Sequence, residues 1–88
     1  MTDELHQEIK GIVDEIITDY LPVPSSGTGY GLVYTYLDEK EYRQVLFLLS
    51  TLVDSRRQME TLTGAHLEKA KATIERLRQK INEADPPN

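Results

Sequence analysis

The 88-residue chain has no cysteine. A disulfide framework, a thiolate metal site and a thiol nucleophile are therefore all excluded, and cysteine usage does not distinguish a reducing compartment from an oxidising one. No apolar run approaches the roughly 20 residues needed to span a bilayer. The opening MTDELHQEIK lacks both the basic and the apolar regions of a signal peptide. The expectation is a cytoplasmic protein that does not touch the membrane.

Histidine is scarce, limited to His6 and His66. They do not form the close pair that a metal site uses, and carboxylates would have to converge on them from distant positions. A solvated His6 and a locally hydrogen-bonded His66 are the plainer readings. The serines Ser25, Ser26, Ser50 and Ser55 stand in no recognisable nucleophile motif. Asp54, the acid with most apolar sequence around it, is expected to pair with Arg57 or Lys71. No catalytic residue, metal or cofactor is expected, and a small enzyme ranks third among the functions considered.

Basic residues are nearly absent from the first twenty positions, where Asp3, Glu4, Glu8, Asp14, Glu15 and Asp19 face Lys10 alone. That stretch carries the whole formal net charge of −5. Nucleic-acid binding, which needs positive potential to neutralise phosphates, starts disfavoured. An acidic face suits a basic partner or simple solubility. Arg56 and Arg57 with Lys69, Lys71, Arg76, Arg78 and Lys80 still offer a basic strip in the second half. Nucleic-acid association through that strip is the alternative function, although no helix-turn-helix spacing or other reading module appears.

What is present in quantity is helical periodicity. The segment LDEKEYRQVLFLLSTLVDSRRQME, Leu37 to Glu60, is the richest apolar stretch and the natural core element. Asp38 with Glu41 reads as a capping box and Leu37 with Tyr42 as a hydrophobic staple. Tyr42, Val45, Leu46, Leu49, Leu52 and Val53 then fall on one face, and Phe47 and Leu48 widen that stripe, so the helix is expected to be buried on more than one side. This predicts a helix over 38–61. Leu5, Ile9, Ile12, Val13, Ile16, Ile17, Tyr20 and Leu21 predict a helix over 3–20, capped by Thr2 or Asp3. Pro22 and Pro24 end it, and Gly11 either weakens it or marks a close helix contact. Leu67, Ala70, Ile74, Leu77 and Ile81 predict a helix over 64–83 with heptad spacing, followed by a frayed tail over 84–88.

Two stretches are less regular. PVPSSGTGYG, Pro22 to Gly31, reads as a flexible glycine-rich loop; its GTGYG lacks the lysine and flanking strand that phosphate binding requires. LVYTYL, Leu32 to Leu37, is β-branched and aromatic and reads as a short extended piece. Since the chain offers no second strand, it would lie over the helices, become an extra turn before the core helix, or pair with another chain. A bend at 61–64, with Thr63 as cap and Leu62–Leu67 as staple, is favoured over one continuous helix of some 45 residues, roughly 68 Å long.

The sequence thus predicts one all-α domain, a small three-helix bundle with an extended piece at 32–37, self-associating as a homodimer. The favoured function is a non-catalytic protein–protein interaction module. It would be a small acidic accessory, adaptor or inhibitor protein of the kind phages and mobile elements encode. Its partner surface is expected at Tyr30, Leu32, Tyr34 and Tyr36, because tyrosine packs its ring while its hydroxyl stays wet. Tyr36 and Tyr42 are more easily read as caps on the bundle end.

Overall fold

A computed structural model describes residues 3–21 and 28–86, with the side chains of 28 and 29 outside the description. The Thr2 cap, the Pro22 and Pro24 breaks, the first part of the glycine-rich loop with Ser25 and Ser26, and the last two tail residues all fall outside it. Four helices follow one another: α1 (Asp3–Tyr20), α2 (Thr28–Asp38), α3 (Tyr42–Gln58) and α4 (Gly64–Ala84). The main packed pairs are α1 with α4, α3 with α4, and α2 with α3. The described residues contain no strand.

The all-α architecture agrees with the sequence, but its second element does not. Residues 32–37 belong to α2, not to an extended piece. Tyr30, Val33 and Leu37 are buried and Tyr34 half-buried, an i, i+3, i+4, i+7 row that outweighs the local β preference of valine and tyrosine. A lone strand would leave its backbone unpaired, whereas a helix satisfies its own. The Thr28–Gly31 end of the presumed loop is also helical.

This moves the next boundary. Asp38 is the last residue of α2 and cannot cap α3, whose N-cap is Glu41 with no side-chain capping bond. Between them the chain closes as a Schellman turn. Lys40 N–H donates to the Leu37 carbonyl at 3.0 Å and Glu41 N–H to Tyr36 at 2.9 Å, with Lys40 left-handed at φ 60°. The end of α3 repeats the device. Glu60 has φ 61°, its N–H reaches Arg57, and Thr61 N–H reaches the Arg56 carbonyl at 3.0 Å. Thr63 is the N-cap of α4 and Leu62 is buried, so the bend over 61–64 is present. With a longest extent of 37 Å, the molecule is far shorter than a continuous helix.

The core runs through all four helices. Ile9, Val13, Ile16, Leu21, Val33, Leu37, Val45, Leu49, Ala70, Leu77 and Ile81 are fully buried. The accessible surface of 5484 Å² is close to the ~5,300 Å² expected of a folded monomer of this mass. Closing this core therefore does not call for a second chain. Gly11 is exposed in α1 and a Cβ there would meet nothing within 4 Å, so it marks no close helix contact.

Candidate interaction surface

The tyrosines and histidines singled out from the sequence are mostly spent on holding helices together. Tyr30 is only 8% exposed and its hydroxyl donates to the Leu21 carbonyl at 3.1 Å. Tyr34 donates to Asp14 Oδ1 at 2.6 Å. Burial, with the Asp14 hydrogen bond and charge adding to it, pushes the Tyr34 phenol up to about 12. Both hydroxyls thus turn to the seam between α2 and α1. Tyr36 is half-buried against the core. Of the four residues expected to bind a partner, only Leu32, at 49%, stands clear of the surface.

The histidines are also structural, through long-range contacts. His6, expected in solvent, is half-buried, and its Nδ1 shares a 2.7 Å hydrogen bond with the Tyr42 hydroxyl, whose pKa burial raises. His66 Nε2 lies 3.0 Å from the Asp19 carbonyl, 47 residues away. A carbonyl can only accept, so Nε2 carries the proton. The Tyr20 ring meets His66 edge-on at 4.9 Å. Among the described residues, no group of three or more acids and histidines could hold a metal ion.

The basic strip is not a free cationic surface. Arg57 pairs with Asp54 at 2.6 Å and Lys71 with Glu68 at 3.7 Å. Arg78 pairs with Glu75. Two cations turn to the acidic first helix: Arg76 to Glu15 at 2.9 Å and Lys80 to Glu8 at 3.6 Å. Arg56 is half-buried and Lys69 lies on a shallow cleft beside Tyr20 and His66. From the strip, Arg76 and Lys80 of α4 meet α1, while Arg57 pairs within α3.

Besides Met59 at the C-cap of α3, which is 61% exposed, two apolar features remain on the outside. The first is an open groove of about 500 Å³ between α3 and α4, floored by Val53, Leu67 and Ile74 and rimmed by Asp54, Arg57, Lys71, Glu75 and Arg78. The second is the outer side of α3 around Phe47, with Leu32 exposed on α2. Phe47 on α3 is 65% exposed. It lies about 200° around the helix from Leu49 at 3.6 residues per turn, and Leu49 is fully buried. Leu32 is exposed on the packed neighbour α2, and Leu48 and Tyr36 are half-buried beside the core.

This second surface has a sequence signal that lay in the charges, not the tyrosines. Residues 28–37 and 44–53 contain no charged side chain, in a chain with 25 of them among 88 residues (10 basic plus 15 acidic). The two uncharged runs fall on helices that pack together. Depletion of charge with retained aromatic and aliphatic side chains is the compositional mark of an interface centre. No protein-family model, curated protein or solved structure matches this chain.

Proposed function

We propose that this protein is a non-catalytic protein–protein interaction module, a small cytoplasmic accessory, adaptor or inhibitor that docks through the outer side of α3 around Phe47. The observation that carries the reading is Phe47, 65% exposed in the middle of an uncharged helical run. An exposed phenylalanine adds little to the fold but supplies a large desolvation gain to a partner that covers it. The tyrosines assigned to this role from sequence support the surface from behind: Tyr30 and Tyr34 fix α2 against α1, which holds Leu32 in place. Nucleic-acid association has weaker support, since the strip's cations are largely neutralised by neighbouring acids.

The test is capture of partners from cell extract by the wild-type chain and by Phe47→Asp. The proposal expects specific partners to be lost while the helical circular dichroism and melting temperature stay as in the wild type. An unchanged set of captured proteins counts against this face.

A further inference from the structure

Resting on the interaction reading above, we propose that the groove between α3 and α4 takes one acidic amphipathic helix of a partner protein. The other flank of α4 already holds a helix of that chemistry. There α1 buries its row of Ile9, Val13 and Ile16 and sets Glu8 and Glu15 on Lys80 and Arg76. What α4 accepts on that flank is an aliphatic row with carboxylates at its edge.

The groove repeats the same receiving pattern on the opposite flank. Leu67, Lys71, Ile74 and Arg78 line it at the i, i+4, i+7, i+11 spacing of one helix face, and Arg57 stands on the α3 wall. The neighbouring acids do not exhaust these cations. A guanidinium has five N–H donors; Asp54 takes Nε and Nη2 of Arg57, and Glu75 takes Nη1 of Arg78. Asp54 is itself further engaged by Gln58 at 2.9 Å. Lys71 pairs with Glu68 at 3.7 Å, and Glu68 is not part of the groove lining. Exposed pairs of this kind are worth little, so the carboxylates of an incoming helix find donors on both walls.

Leu67 to Arg78 covers roughly 17 Å of α4, about three turns of an incoming helix. Its anchors at i, i+3 or i+4, and i+7 meet the floor of Val53, Leu67 and Ile74. A small apolar ligand fits less well, because such ligands bury most of their surface and this groove is open along its length. Phe47 stands two turns before Asp54 on the same outward side of α3 and extends that wall.

The probe is a labelled synthetic helix of about 18 residues, with leucines at i, i+3, i+4 and i+7 and glutamates on both flanks. A counterpart carries lysine for glutamate. Fluorescence anisotropy during titration with the full chain is expected to show saturable binding of the glutamate helix that weakens with salt. The lysine helix is expected to bind at least ~10-fold less tightly. Lys71→Glu with Arg78→Glu, both at exposed positions, is expected to weaken the glutamate helix by at least ~10-fold with unchanged circular dichroism. Lys10→Glu with Lys69→Glu makes the same change in net charge away from the groove and leaves binding in place.

No saturable binding of the glutamate helix, equal binding of the two probes, or equal effects of the two double variants overturns the assignment. Self-association of the chain that the probe competes away also overturns it, placing a second copy in the groove. In each of these cases the effect of Phe47→Asp on partner capture still decides the interaction reading by itself.

Discussion

Across the seam between α1 and α4, Glu15 meets Arg76 and Glu8 meets Lys80, whereas α2 and α3 lie together for ten residues each without a charge. Both pairs bury a comparable apolar row on the inside. They differ in what is left outside. On α1 and α4 the exposed positions are polar side chains with a few glycines and alanines, which cost little to leave in water. On α2 and α3 they include Leu32 and Phe47. Similar inward packing is thus combined with two outward surfaces, one finished in water and one not.

The sharpest way to test that contrast is to compare truncations on the two sides of the same bundle. Leu77→Ala, at a fully buried position of α4, is expected to cost about 3 kcal/mol of unfolding free energy by urea titration. Phe47→Ser, on the outward surface, is expected to stay within about 0.5 kcal/mol of wild type. A large loss at Phe47 would mean that this side chain belongs to the fold, and the contrast would fail.

The turn that links α3 to α4 gives a smaller effect with a predictable sign. Gly64 has φ +60° with open space where a Cβ would sit, so Gly64→Ala is expected to cost about 1–2 kcal/mol through backbone strain alone. Glu60, equally left-handed at φ 61°, should behave in the opposite sense. Glu60→Gly relieves the strain and is expected to raise stability by up to about 1 kcal/mol.

Next comes the Tyr34–Asp14 bond that pins α2 to α1. Tyr34→Phe is expected to cost about 1 kcal/mol. It also removes a pH dependence. The folded phenol titrates near 12, above the ordinary tyrosine value of 10. The stability it contributes is therefore complete below about pH 10 and is lost as pH rises from there towards 12. Melting curves between neutral and alkaline pH should fall less steeply for Tyr34→Phe over that interval. The smallest change is expected from the exposed pair Arg76–Glu15: Arg76→Ala should cost under about 0.5 kcal/mol, and less again in high salt. A larger, salt-sensitive loss would show charge to be the main bond between α1 and α4.

Much of the fold was legible because the apolar rows of α1, α3 and α4 repeat at the helical period over several turns. What failed was local. By residue type Leu32 to Leu37 reads as extended, because the valine and tyrosines obscure the Tyr30–Val33–Tyr34–Leu37 spacing that packing enforces. Once that segment is helical, Asp38 ends a helix instead of starting one, and the Asp38–Glu41 capping box cannot form. The bend near Gly64 was visible because a cap, a staple and a glycine coincide there. The candidate surface was half legible. Leu32 stands among the residues expected to bind, while by sequence Phe47 reads as extra breadth of the core. Tyr30 and Tyr34 were expected outside because tyrosine often is, yet where a tyrosine's hydroxyl goes depends on acceptors, here Leu21 and Asp14, that only the tertiary structure supplies.

The Glu15–Arg76 contact has one more consequence, for the order of assembly. It joins residues 61 apart in the chain, and the His66 contact to Asp19 spans 47. The α2–α3 and α3–α4 pairs are neighbours in sequence, closed by turns of a few residues. Loop closure delays distant pairings relative to near ones, so these two hairpins are expected to form first and to offer α1 a ready-made trough. Until α1 arrives, the apolar faces that Ile9, Val13 and Ile16 will cover are open to water. The return of the first helix to the last is the step expected to limit the folding rate, so weakening the α1–α4 seam should slow refolding more than weakening either hairpin.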